Sequence, residues 1–179
     1  MILETKRLIM RPITIEDADH MYKNWASDPD VLRYMPYNIC ETLEATRQCL
    51  QGWLEFTQNM TGAWQIWVIQ LKATGDIIGT IDFAEVDTDA RAAEVGYQIG
   101  KAWWGNGYCA EALIELANYA FDTAQLNRLW GGYDPRNPAS GRVMEKAGFR
   151  YEGTLRHHRL RQGELVDRII YGMIRLDRV

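Results

Sequence analysis

Gly105 and Gly107 have the clearest chemical use in this sequence, because both stand where a predicted strand gives way to a predicted helix. Glycine adopts the backbone conformations that bring main-chain N–H groups close to a ligand. The N–H groups at the start of a helix have no partner within it, and the helix dipole favours an anion there. The turn therefore predicts a binding site for a phosphate group.

The same turn fits the dinucleotide-binding pattern G-x-G-x-x-G/A, as Gly105, Gly107 and Ala110, and the next strand ends near an acid, Asp134. Three features disfavour that interpretation. The preceding strand contains a charge and an amide where a buried parallel strand is continuously apolar. Residues 100–104 separate this strand from the first glycine, and a hairpin comes before it instead of repeated βα units. A turn that only closes a tight loop stays open as an alternative.

Length and composition indicate one globular domain over residues 1–179, since 47% of the residues are hydrophobic and 25% are charged. The net charge of -4 gives no basis for nucleic-acid binding, which needs a basic surface. An acidic surface is compatible with an amine substrate. Charges from Glu4 onward exclude a secretory leader at this start, and no apolar run is long enough to span a membrane.

The three cysteines, Cys40, Cys49 and Cys109, are odd in number and show no C-x-x-C spacing. This pattern disfavours a disulfide framework and a zinc site, so no metal is expected, and it is typical of a protein in the reducing cytoplasm.

Hydrophobic periodicity predicts an α/β domain with a mixed sheet. Thr14 and Asp17 resemble a capping box at the first helix, and Gly148 follows the last helix as a C-terminal cap. Strands are predicted over 7–11, 63–71, 77–85, 91–99 and 127–133, with two more on either side of the turn 161–163. Helices are predicted to start near Thr14, Pro29 and Thr42 and to cover 110–121 and 139–147.

Seven motifs in order resemble the GNAT superfamily of acyl-CoA-dependent N-acetyltransferases, in particular its ribosomal-protein N-terminal (RimJ/RimL-like) branch. They lie at residues 4–12, 15–18, 75–81, 93–97, 104–109, 134–140 and 145–153. The resemblance implies a single α/β domain with a mixed, mostly antiparallel sheet, a splayed central strand pair and flanking helices. It also implies transfer of an acetyl group from acetyl-CoA to a primary amine without an acyl-enzyme.

In this family the glycine turn holds the CoA pyrophosphate, the strand before it pairs with the pantetheine arm, and the next strand splays away to leave room for the thioester. Carried over to this sequence, the coenzyme-binding residues are Tyr97, Gln98, Ile99, Trp104, Gly105, Asn106, Gly107, Tyr108, Cys109, Asn137, Ser140 and Met144. A backbone N–H at the splay would bind the developing oxyanion.

Two positions depart from the family turn. Trp104 replaces a Gln or Arg, so the pyrophosphate would depend on main-chain N–H groups. Cys109 replaces a small residue; an activated thiolate at a helix start is the alternative to simple helix packing.

The catalytic assignments implied by the resemblance are Asn137, Ser140 and Glu94. Asn137 matches a residue beside the pantetheine or the leaving sulfur; an Asx turn is the alternative. Met144 occupies the position where many members have a general-acid Tyr, and Ser140 would protonate the departing thiolate instead, or simply bond to the local backbone. Glu94 would act as base through water, or pair with a neighbouring Arg.

His157 or His158 is another candidate base; adjacent strand residues face opposite sides, so at most one faces the site. Trp25, Tyr34 and Tyr37 are candidates to line the acceptor cleft, with a place in the core as the alternative.

The acceptor is expected to be a protein or peptide N-terminal amine. Deprotonating an α-amine at pH 7 costs roughly 1–1.4 kcal/mol, and deprotonating a lysine amine costs about 4.6 kcal/mol. Two alternatives stay open: acetylation of a small amine such as an antibiotic or polyamine, and a catalytically idle CoA-binding regulator. Neither nucleic acid nor membrane is expected as a partner, and assembly into a homo-oligomer stays open.

Overall fold

The computed structural model describes residues 1–59, 65–161 and 163–178. Its strands form one sheet in the order β1-β2-β3-β4-β5-β6-β8-β7. The strands are β1 (Leu3–Glu4), β2 (Leu8–Pro12), β3 (Ile66–Leu71), β4 (Ile77–Asp87), β5 (Ala92–Ile99), β6 (Arg128–Tyr133), β7 (Arg150–Arg161) and β8 (Glu164–Ile174). Residues 63–64, at the start of the strand predicted over 63–71, and the turn residue Gln162 lie outside the described residues.

Every neighbouring strand pair is antiparallel except β5 and β6, which run parallel. Their pairing joins residues 92–94 to 128–130 and then ends, although β5 continues to Ile99 and β6 to Tyr133. The predicted fold class, a mixed and mostly antiparallel sheet with a splayed central pair, is therefore confirmed.

Five α-helices flank the sheet: α1 (Ala18–Met21), α2 (Pro29–Leu32), α3 (Leu43–Asn59), α4 (Tyr108–Asp122) and α5 (Pro138–Lys146). Alternate residues of β3 enter two hydrophobic cores, since Trp67 and Ile69 pack with α4 and α5, whereas Ile66 and Val68 pack with α1 and α3. Both faces of the sheet are thus covered, and the gap between β5 and β6 lies between the two layers. Within the described ranges, no helix combines the length and apolar character needed to cross a membrane.

Several local predictions hold and others need correction. The capping box of Thr14 and Asp17 is present, and Asp28 caps α2 at its first residues. The single first helix predicted from Ile15 to Trp25 is divided into a 3₁₀ turn, α1 and a π-helical turn. The apolar residues of the helix predicted over 110–121 would place Ile114 on its buried face, but Ile114 is 44% exposed, whereas Ala112 and Leu116 are buried.

Candidate active site

The glycine turn ends at the first residue of α4, as its spacing predicts. Gly105 and Gly107 have φ angles of +80° and +78°, in the left-handed region that favours glycine, and Gly107 is the N-cap of α4. The first intrahelical bond is donated by the N–H of Glu111 to the carbonyl of Gly107, at 3.1 Å. The N–H groups ahead of it have no acceptor within the helix and remain available to an anion.

Side chains around the turn hold its shape. The indole N–H of Trp104 donates to the carbonyl of Ile99 at 2.6 Å, and the amide of Asn106 donates to the carbonyl of Trp103 at 3.1 Å. Arg7 directly precedes β2. Its guanidinium donates to the carbonyl of Asn106 at 3.1 Å and forms an ion pair with Glu111 at 2.6 Å. These side chains fix the loop, so anion binding falls to the main chain.

Cys109 does not have the properties of a nucleophile. Burial raises the pKa of its thiol to about 12, so the side chain stays protonated near neutral pH. A reactive thiolate needs the opposite shift. The environment therefore favours the packing role over the activated thiolate.

A cavity of about 290 Å³ opens where β5 and β6 separate. Six of the residues assigned to the site from the sequence line it: Glu94, Tyr97, Gln98, Asn137, Ser140 and Met144. Ile99 and the glycine turn lie outside this lining. Tyr34 and Tyr37 line it too, but Trp25 is fully buried in the core beside α1. His157 and His158 are exposed and do not line the cavity.

On the α5 side of the sheet, Tyr97 and Ser140 form one hydrogen-bonded unit. The phenol of Tyr97 donates to the carbonyl of Ser140 at 2.8 Å, and the two hydroxyl oxygens lie 2.9 Å apart. Burial raises the pKa of Tyr97, so its proton is retained. Asn137 precedes α5, and its side chain makes no capping bond to the helix. Met144 is buried and packs against β6.

Asp82 of β4 was missed by the sequence reasoning, and it lies on the face of the sheet opposite to that of Tyr97. It is directly across from Gly96 in the β4–β5 ladder, and a Cβ on Gly96 would lie only 2.5 Å from its Oδ1 atom. The carboxyl is half-buried, lines the cavity, and has no ion pair or hydrogen bond with the described residues. Burial first, and then the nearby charge of Glu94, raise the pKa of Asp82 to about 7.

Glu94 is buried and forms an ion pair with Arg168 of β8. Arg168 reaches it across Gly132 of β6, where a Cβ would collide with the arginine side chain. The arginine also lies 5.3 Å from the ring centroid of Trp130. This matches the alternative in which Glu94 pairs with a neighbouring Arg.

Gln98 contributes to the wall of the cavity through two side-chain bonds. Its amide donates to Thr80 at 3.0 Å and accepts from the phenol of Tyr37 at 2.8 Å. Tyr37 also packs edge-on against Trp53, with ring centroids 5.4 Å apart. The segment between α2 and α3 is thereby attached to the sheet beside Asp82.

A sheet split between parallel β5 and β6, with the glycine-capped start of α4 on one side and a cavity lined by both acids and arginines on the other, defines a GNAT-type acetyltransferase. The crystal structure of a GNAT-family acetyltransferase from Bacillus anthracis superposes with a TM-score of 0.84 at 26% identity, covering 97% of this chain and 98% of that one.

The family model for the acetyltransferase (GNAT) domain matches residues 7–150. The N-acetyltransferase YoaA of Bacillus subtilis is 33% identical over 174 residues, 97% of each chain. A [ribosomal protein uS5]-alanine N-acetyltransferase of Escherichia coli is 32% identical over 96 residues, 53% of this chain and 50% of the relative. The chain belongs to the GNAT acetyltransferase family, and it is an acetyltransferase.

Proposed function

We propose that this enzyme acetylates an N-terminal α-amine with acetyl-CoA and that Asp82 is the general base. The observation that carries the proposal is the unpaired carboxyl of Asp82, with its raised pKa, at the splay of β5 and β6. The assignment of Glu94 as base is replaced, because its carboxylate is engaged by Arg168.

The donor would bind along the α4 and α5 side of the sheet. The start of α4 offers main-chain N–H groups to the pyrophosphate, in keeping with the positive φ angles of Gly105 and Gly107. Residues 95–99 of β5, beyond the last pair with β6, offer backbone groups to the pantetheine arm. The coenzyme would supply an activated acetyl thioester, and Asn137 would lie beside its sulfur.

The pKa of Asp82 suits an α-amine. Moving a proton from an α-ammonium of pKa about 7.8 to a carboxylate of pKa about 7 costs roughly 1 kcal/mol, whereas a lysine ammonium costs about 4.6 kcal/mol. The freed nitrogen would attack the thioester carbonyl, and the C–S bond would break as the nitrogen gives up its second proton for the departing sulfur. The first proton would remain on Asp82, and a backbone N–H at the splay would bind the oxyanion.

The departing thiolate would receive its proton from the unit of Tyr97 and Ser140. Their hydroxyl oxygens are 2.9 Å apart, so the unit can give a proton to the sulfur and take the second proton of the attacking nitrogen in its place, which leaves both hydroxyls protonated. A thiolate needs little acid assistance, since an ordinary thiol has a pKa of about 8.5. Loss of Ser140 should therefore cost less than loss of Asp82.

The acceptor is tested by comparing amines in an assay for released CoA thiol. A protein N-terminus as acceptor is supported by the [ribosomal protein uS5]-alanine N-acetyltransferase, which matches 53% of this chain. We expect a peptide with a free N-terminal alanine to exceed an N-blocked lysine peptide by about 10²-fold or more in kcat/KM, following the difference in deprotonation cost. Preferential turnover of the lysine peptide, a polyamine or an aminoglycoside would contradict the proposed acceptor.

Gly107→Ala tests the binding of the donor. An L-residue in the left-handed region costs roughly 1–2 kcal/mol, and relief of that strain would tilt the first N–H groups of α4 away from the anion. We expect KM for acetyl-CoA to rise about tenfold, which corresponds to 1.4 kcal/mol. Space is not the cause, since the nearest atom to the new Cβ is Arg7 Nη2 at 3.8 Å.

Gly52→Ala is the matched control for this variant. Gly52 lies within α3, and a methyl group added at this residue would meet no atom of the described residues within 4 Å apart from its chain neighbours and the backbone of the same helix. Alanine there should stabilise the helix by roughly 0.5–1 kcal/mol and leave KM for acetyl-CoA unchanged. An unchanged KM in Gly107→Ala would argue against the turn as the pyrophosphate site.

A further inference from the structure

Two arginines of β7, Arg159 and Arg161, line the cavity away from the Tyr97–Ser140 side and have no assigned role. Both are half-buried, and they are two residues apart on one strand. Alternate residues of a strand face the same side of the sheet, so their guanidinium groups approach the cavity together.

A local irregularity of the β7–β8 hairpin directs Arg159 and Arg161 toward the cavity. The register shifts between Leu155, opposite Arg168, and Arg159, opposite Val166, so that β7 carries two extra residues. His157 lies in this bulge with a φ of +49°, and its N–H donates to the carboxylate of Asp167 at 2.9 Å. Bulges of this kind redirect side chains. After it, Arg159 shares a face with Val166 and Arg168, which also line the cavity.

Neither guanidinium has a carboxylate partner among residues 1–59, 65–161 and 163–178. The acids of the cavity have other surroundings: Glu94 is paired with Arg168, Asp134 with Arg136, and Asp167 accepts the N–H of His157. Asp82 is the fourth, and it is the proposed base. Burial, then the nearby charges of Arg168 and Arg161, lower the pKa of Arg159 although Glu94 acts in the opposite direction. The site therefore holds two cations that form no ion pair with a carboxylate of the described residues.

We propose that the acceptor carries a carboxylate close to its amine and that Arg159 and Arg161 bind it. This inference rests on the proposed function, because it places the amine at Asp82. Arginine binds carboxylates through paired, charge-assisted hydrogen bonds, and partial burial strengthens them. The same two cations disfavour a polyamine or an aminoglycoside, which would bring further positive charge.

The test compares acceptors that differ only in that charge. The first arm compares peptides that begin Ala-Glu and Ala-Gln, so the carboxylate is on the side chain of the second residue. The second arm compares free alanine with alaninamide, so the carboxylate is on the α-carbon that carries the amine. In the wild type we expect kcat/KM for the charged member of at least one pair to exceed that of its amide by tenfold or more, mainly through KM. Added salt should reduce the preference.

In the double variant Arg159→Gln/Arg161→Gln, the ratio of kcat/KM for the charged acceptor to that for its amide should fall to about twofold or less. Arg156→Gln is the matched control, because Arg156 lies on the same strand but is exposed and outside the cavity. It should keep the full preference.

Equal use of charged and uncharged acceptors by the wild type would overturn the proposal, as would a preference that persists in the double variant. A purely structural role for the arginines would lower kcat/KM for both members of a pair equally and lower the melting temperature. Failure of the proposed function has a different signature: no acceptor in either arm would release CoA.

Discussion

Asp82→Asn is expected to lower kcat/KM for the acceptor by about 10²–10⁴-fold, the range that a general base contributes. In the wild type, kcat/KM should rise with pH on the acidic side with a midpoint near the raised pKa of about 7. The variant should lose this dependence, because its amide cannot accept the proton. Steady-state rates from pH 5.5 to 9 with saturating donor measure both effects.

The same substitution should stabilise the protein at alkaline pH. The pKa of Asp82 is raised from 3.8 to about 7, so the stability associated with its protonated form is complete below about 3.8 and is lost as pH rises through about 7. At pH 8 the free energy of unfolding of the asparagine variant should exceed that of the wild type by about 1–4 kcal/mol, the upper figure corresponding to the full rise of the pKa from 3.8 to about 7. The difference should vanish near pH 4.

Thermal melts at pH 8 and pH 4 measure this stability difference, and a kcal/mol corresponds to roughly 2–4 °C for a protein of this size. Asp89→Asn is the control, since Asp89 is exposed in the loop after β4. It should change neither rate nor melting temperature. If the Asp82→Asn enzyme has normal turnover and kcat/KM still rises with pH around 7, Asp82 is not the general base.

Glu94→Gln has the second largest expected effect, and it acts mainly on stability. The substitution leaves Arg168 buried without its counter-charge, and breaking such a pair costs about 3–5 kcal/mol. Because the charge of Glu94 raises the pKa of Asp82, its removal should move the acidic limb of kcat/KM to lower pH. Denaturant unfolding and the pH profile measure the two consequences.

Glu152→Gln provides the comparison, because the pair of Glu152 and Arg128 is about one third exposed. Such pairs are worth roughly 0–1 kcal/mol, so little stability should be lost. If Glu94→Gln instead abolishes turnover at every pH and Asp82→Asn does not, the carboxylate of Glu94 is the base and the roles proposed for the two acids are reversed.

The sequence was sufficient for the parts of the site that depend on local signals. The turn at Gly105 and Gly107 could be placed because glycine marks left-handed backbone and the apolar period of α4 begins directly after it. The end of the β5–β6 pairing followed from the family resemblance and is present in the fold. Tyr97 and Ser140 were both assigned to the site, but their mutual hydrogen bond depends on the docking of α5.

Asp82 was not found, because its position depends on strand register. A signal was available: Asp82 is the one charged residue in the run 77–83, whose other residues are uncharged and mostly apolar, and a charge is unusual in a buried strand. Its approach to Gly96, however, requires the β4–β5 register, which shifts between Phe83 and Glu85. Glu94 and its partner Arg168 are 74 positions apart in the sequence, and no periodic pattern reveals such a pair.

The short contact between β5 and β6 has a mechanical consequence. Only three residue pairs join them, so the sheet consists of two hydrogen-bonded ladders, β1–β5 and β6–β8, that meet along a brief seam. Asp82 and Glu94 belong to the first ladder, and Arg159, Arg161 and Arg168 to the second. The ion pair of Glu94 and Arg168 joins the two ladders across this seam, so we expect the width of the cleft to depend on it.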